Sequence, residues 1–362
     1  MAFDAHIEDF QRLGLRQAAA LDDDDPFGAV RSMADFGRRF AKNRDSLPQS
    51  DEDRAFHLVS LATDLVDYQL PFAEDSAAPG IIDNARKLLD EALELDPHCH
   101  DAKRMVAAAD NPSFEDFYRF LVDGEEGARV DCERARAAVS MPDKDGQALG
   151  EDLAMRPYKR WLAAVAARAL ECGHYRKSVE TALRLLELDP SDVAGARLTL
   201  ALAYAKLEDE AGLDALVARH PNGRGQPNPW YALAKLALSF KRRDFDQAAS
   251  ELRSLIATYP HAGMTLARQD WLPDGVFSRI VVEPRSEDEL ILAVSEATVI
   301  LQEGCDSHDR GALGSWIAAR PEVVKANALD GAGMADAEQD AGTRGGSGGK
   351  GLGGGRTQGG RS

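Results

Sequence analysis

Cysteine is scarce in this chain of 362 residues. The four that occur, at positions 99, 132, 172 and 305, are too few and too scattered for a disulfide framework, which suits a reducing compartment. Long apolar runs are missing. The longest uncharged helical stretches lie near Trp161–Ala167 and Leu198–Ala205, far short of the roughly 18 residues a membrane span needs. Asp4, Glu8 and Asp9 stand where a secretory leader would need an apolar core. Basic charge is in deficit: 43 Lys and Arg face 61 Asp and Glu, a formal charge of −18. Such a body repels phosphate backbones and anionic lipid surfaces, so nucleic acid and membrane are poor partners for it. Catalytic signatures are missing as well. The chain has no G-x-S-x-G elbow, no H-E-x-x-H pair and no Gly-rich strand-to-helix turn. The expectation is a cytoplasmic, non-enzymatic protein without a cofactor.

Helix formers are what the sequence does contain. It holds 58 alanines and 40 leucines, and its β-branched residues seldom alternate with polar ones, so the body reads as all-α. The last 22 residues differ: eleven are glycine, four are basic and none is acidic, which leaves the first 340 residues at −22. A segment of that composition cannot offset its chain entropy by apolar burial, and a disordered tail is expected over 330–362. At the other end, three helices are expected within 1–70 as an N-terminal cap. The first runs from Asp4 to Ala20 with Ile7, Phe10, Leu13 and Leu15 near one face. The second starts at Asp25-Pro26 as N-cap and N1, and the third starts at Ser50-x-x-Asp53, which resembles a capping box.

An internal repeat organises the rest. Gly80-I-I-D-N-A-R-K-L-L-D-E-A-L-E-L-D-Pro97 aligns with Gly173-H-Y-R-K-S-V-E-T-A-L-R-L-L-E-L-D-Pro190, and both close on E-L-D-P. A third copy, Asp244 to Pro260, keeps Phe245, Ala248, Leu252, Leu255 and Ile256 in the same register. These segments resemble the second helix of the tetratricopeptide repeat, a helix–turn–helix unit of about 34 residues. First-helix ridges are expected upstream of each: Leu162, Val165, Ala166 and Ala169; then Leu200, Ala201 and Tyr204; then Leu233, Leu236, Ala237 and Phe240. The resemblance implies a short α-solenoid of stacked hairpins. It divides the chain into a first hairpin with a loop (71–110), a helical insertion (111–158) that Gly124 and Gly127 interrupt, the main array (159–270) and C-terminal cap helices (271–329). Trp271-Leu272-Pro273 and Val276–Val282 read as extended, and Ser286-x-x-Glu289 caps a final helix. The layout is also loosely similar to suppressor-of-tumorigenicity-type repeat proteins.

In tetratricopeptide arrays the first helices line a concave groove that takes a peptide or a partner helix. The resemblance then implies Arg160, Glu171, Lys206, Tyr231, Lys241 and Arg242 as groove residues, with a protein or peptide as partner. Ala163 and Ala167 stand where carboxylate-gripping repeats carry lysine and asparagine, which disfavours that ligand. Competing readings place a hidden site in the 111–156 insertion or RNA binding in the Arg/Gly tail. Four dispersed charges and no aromatic residue make the tail a weak RNA ligand. His98-Cys99-His100-Asp101 is the only dense set of metal-competent residues. Neighbouring ligands on one short turn cannot surround an ion, so no metal is expected there. Asp22 to Asp25 lacks the glycine and distal glutamate of a calcium loop. Gly345-G-S-G-G-K-G lacks the spacing and the Ser/Thr of a phosphate loop. Cys172, beside the turn glycine Gly173, reads as packing rather than as a nucleophile.

Overall fold

The computed structural model describes residues 4–20, 26–70, 73–74, 76–111, 113–220, 228–270, 282–304 and 310–332. Among them there are helices and no strand, as the composition implies. The Asp22–Asp25 run, most of the extended segment expected at 271–282 and the expected tail from 333 onward lie outside the described residues, while 330–332 belong to the last helix. No helix among the described residues is long and apolar enough to cross a membrane.

Local chemistry sets most helix starts. α1 (Ala5–Ala19) opens on Asp4, whose carboxylate accepts the Ile7 N–H. α2 (Pro26–Asn43) follows. α3 (Asp51–Thr63) starts on the capping box of Ser50 and Asp53 and runs on as a π-helical segment, Asp64–Gln69. α4 (Ala78–Leu95) carries Pro79 in its first turn, so it begins inside the stretch expected as loop. α5 (His100–Asp110), α6 (Phe114–Ala137) and α7 (Lys144–Glu171) come next, with α6 capped by Ser113 and α7 by Asp143. Then follow α8 (Tyr175–Leu188), α9 (Ala196–Leu207), α10 (Glu210–Arg219), α11 (Pro229–Lys241) and α12 (Phe245–Thr258). The C-terminal part holds α13 (Ala262–Arg268), α14 (Glu287–Glu296, capped by Ser286), α15 (Thr298–Leu301), α16 (Ala312–Ala318) and a last helix over 321–332.

The repeat register shows in three hairpin turns built alike. Gly173, Glu208 and Arg243, evenly spaced along the chain, all adopt left-handed backbone, with φ of 83°, 57° and 64°. In each, the next N–H reaches back to a carbonyl of the preceding helix: His174 to Ala169 at 2.7 Å, Asp209 to Tyr204 at 2.9 Å and Asp244 to Ser239 at 2.9 Å. These are Schellman closures. Asp209 and Asp244 then cap the helices that follow. The turn between α9 and α10 thus belongs to the series, although it lacks the glycine of the first turn and the aromatic residue, Tyr175 or Phe245, that follows the other two.

Helix contacts alternate along the chain. From α3 to α11 each odd-numbered helix touches the next odd-numbered one, and each even-numbered helix from α4 to α12 packs against the odd-numbered helices before and after it. The segment 111–158, expected as an insertion, takes part in that alternation. α6 runs unbroken through Gly124 and Gly127, and α7 crosses the 158/159 boundary through Pro157 without ending. Gly124 is there for proximity: a Cβ on it would stand 2.7 Å from Trp161 Cζ2. One apolar core spans residues from α5 to the last helix, and a smaller one is centred on α3, α4 and α5. Three further elements cover the odd-numbered layer. α1 lies on α3 and α7, while α14 packs on α11 and α15 on α9.

Candidate functional site

The six residues expected to line a groove stand on or beside α7, α9 and α11, and the structure separates them. Lys206 and Lys241 converge. Their ammonium groups bind the two oxygens of one carboxylate, Glu303, at 3.0 and 3.1 Å. Lys206 also donates to the Val299 carbonyl at 3.1 Å and lies 5.1 Å from the centre of the Tyr175 ring. Burial alone would raise the Glu303 carboxyl, but Lys206 and Lys241 outweigh it and hold it below the usual range.

The other four have different surroundings. Arg160 is 2% exposed and so does not line an open groove. Its guanidinium lies between Asp101 of α5, at 2.6 and 2.7 Å, and Glu8 of α1, at 2.8 and 3.3 Å. Tyr231 is 4% exposed; its hydroxyl has no hydrogen-bond partner, and burial pushes its pKa up to about 12. Glu171 pairs with Arg168 one turn earlier at 2.6 Å. Arg242, half-exposed at the hairpin turn, pairs with Glu210.

Sequence reasoning missed Glu8, Asp101, Arg104 and Glu303. α1 departs from its hydrophobic pattern: Leu13 is buried as expected, but Glu8 and Asp9 are buried too, at 0% and 1%, while Ile7 and Phe10 are 52% and 41% exposed. Glu8 faces Arg160, Arg12 and Arg156, and Asp9 faces Arg44 and His57. Burial would raise Glu8 and Asp101, but the surrounding guanidinium groups outweigh it and hold both carboxyls below their usual range. The sequence holds one signal for the buried site, Arg12 and Glu8 one turn apart, and that pair also suits a solvated face.

Cys172 carries no sign of activation. Burial, with Glu115 and Glu171 nearby, pushes its thiol up to about 11. In the 111–156 segment Glu126 and Glu133 pair with Arg129, and Asp152 with Arg156 and Lys159. Comparison with protein-family models, with curated proteins and with solved structures returned no match.

Proposed function

We propose that the chain is a non-enzymatic helical-repeat adaptor of tetratricopeptide type, a short α-solenoid whose inner face binds acidic helical segments of a protein partner. The observation that carries this reading is the grip of Lys206 and Lys241 on Glu303. Two cations from successive first helices hold one carboxylate presented by the turn that follows the short helix α15. α1 repeats the arrangement when it presents Glu8 to Arg160. The inner face is thus closed in cis at both ends, and the partner's segment exchanges with 298–303 at the C-terminal end.

Magnitudes favour that end. The short α15 segment is held by two fully buried side chains, Ile300 and Leu301, each worth about 1.5–3 kcal/mol. Releasing it returns roughly 1–2 kcal/mol of backbone entropy per residue. Opening α15 therefore costs much less than unfolding the body. Affinity capture with wild type, Glu303→Lys and the double variant Lys206→Glu/Lys241→Glu tests the reading. Glu303→Lys, with its latch broken, is expected to recover more of the partner. The double reversal is expected to recover none while its circular dichroism stays unchanged. The same proteins recovered in equal amount by all three would refute the groove.

A further inference from the structure

The turn after α4 holds His98 and leads into His100 at the start of α5. Both imidazoles point at one carboxylate that lies far along the chain. His98 Nδ1 stands 2.8 Å and His100 Nε2 3.0 Å from Oδ2 of Asp131, near the C-terminal end of α6. One nitrogen from each histidine and a carboxylate oxygen all lie within 4.8 Å of one another. The local objection to a metal here was that neighbours on one turn cannot surround an ion. The fold removes it by bringing a third ligand from another helix, while the residues between and after the histidines are otherwise engaged. Cys99 is buried in the smaller apolar core, and Asp101 belongs to Arg160.

The geometry points to a binding site for a borderline divalent transition metal, of the zinc or nickel class, formed by His98, His100 and Asp131. Bonds of about 2.0–2.2 Å place neighbouring ligand atoms roughly 2.9–3.5 Å apart, so each imidazole nitrogen needs to part from the Asp131 oxygen by at most a few tenths of an ångström, while the two nitrogens already lie within 4.8 Å of each other. Two imidazoles and one carboxylate suit these ions, whereas magnesium and calcium prefer all-oxygen surroundings. The remaining positions open to water, because His98 is 66% exposed in its side chain and provides the entry path. The site is pre-arranged: Asp96 accepts the His98 backbone N–H at 2.8 Å, and the His100 ring meets Trp161 edge-on.

Neighbouring charges set the affinity. Arg134 holds the other Asp131 oxygen at 3.1 Å, but it is largely exposed and free to swing into water. Lys103 stands one turn along α5 from His100 and adds positive charge to that helix. His100 Nδ1 is buried without a hydrogen-bond partner, so the outer support that fixes most metal-bound histidines is missing. These features make the site weaker than one whose ligands are fully supported.

Titration calorimetry of the full chain with ZnCl2, alongside thermal unfolding with zinc or magnesium, tests the site. Wild type is expected to bind one zinc per chain and to melt higher with zinc and not with magnesium. His98→Ala removes an exposed turn side chain and Asp131→Asn keeps the shape of its residue, so both should fold as wild type does by circular dichroism. Each is expected to weaken zinc binding at least tenfold, as loss of even an outer-shell partner does in known sites. No binding at about 100 μM zinc overturns the site. So does zinc binding that His98→Ala weakens less than tenfold.

Discussion

Arg160 shows how a single residue can be placed correctly on its helix and misjudged in its surroundings. It stands on α7 facing the layer that the repeat resemblance marks as inner, yet it is sealed between Glu8 and Asp101. Removing one member of a buried charge group leaves the others uncompensated, so Arg160→Ala is expected to cost about 3–5 kcal/mol in urea unfolding at pH 7. The pH dependence gives the sign. In wild type both carboxyls are held below their usual values, so their contribution is present above pH of about 4 and is lost as pH falls through the folded values. Without Arg160, only Arg12, Arg156 and Arg104 still oppose burial, so the same carboxyls rise and the folded variant binds protons more readily than folded wild type. The deficit of Arg160→Ala should therefore shrink on acidification from pH 7 to pH 5. A deficit that stays constant over that range would mean that lost packing, and not uncompensated charge, destabilises the variant. None of these partners was legible in the sequence, because pattern reasoning assigns charged side chains to water. Glu8 looks like an ordinary first-turn acid until α1 is seen to bury that side and expose Ile7 and Phe10.

Among the elements, the helices that repeat a pattern were readable and the one that departs from it was not. α4 and α8 follow from their E-L-D-P endings, and α12 from the same register of small and large residues. α6 and α7, with 24 and 28 residues, are longer than the repeat's usual helices, and the glycines in α6 carry the signature of a break. Their real role is steric in one case and open in the other: Gly124 touches Trp161, while a Cβ on Gly127 would meet nothing within 4 Å. Gly124→Ala is thus expected to destabilise the α6–α7 pair by about 1–3 kcal/mol through overpacking. Gly127→Ala should instead stabilise α6 by a fraction of the roughly 1 kcal/mol that separates the two residues in helices. Gly173→Ala offers a third contrast, because its only near neighbour would be Tyr175 Oη at 4.0 Å and its penalty is conformational. That penalty is about 1 kcal/mol, tolerable since Glu208 and Arg243 already hold the same backbone in the sister turns. Thermal unfolding of the three variants separates these causes by rank: Gly124→Ala lowest, Gly173→Ala next, Gly127→Ala at or above wild type.

At the scale of the whole molecule, the alternation of helices from α3 to α12 builds a face that the two ends of the chain then cover, α1 near the start and α14 with α15 near the end. The two covers differ in kind. α1 is held by buried ion groups, whereas α14 is held by Leu290, Ala293 and Val294, all fully buried, and α15 by Ile300, Leu301 and the exposed edge of the Glu303 clamp. A cover made of few apolar contacts and a partly solvated ion pair opens at lower free energy than one made of many. Native-state hydrogen exchange should resolve this. The Leu301 and Gln302 amides, bonded to Ala297 and Thr298 at 3.0 and 2.9 Å, are expected to exchange through a local opening. The amides in the middle of α14 and α11 should exchange only with global unfolding. Glu303→Lys places three cations together and should speed exchange at 301–302 by about tenfold or less, since a solvated pair of this kind is worth about 1 kcal/mol. If instead α15 and α14 exchange together at the global rate, the C-terminal cover is a permanent part of the core, and a partner could reach the inner face only by unfolding the protein. Local opening confined to α15 would leave Lys206 and Lys241 exposed side by side on an otherwise intact stack, the state in which an acidic segment from another protein could replace Glu303.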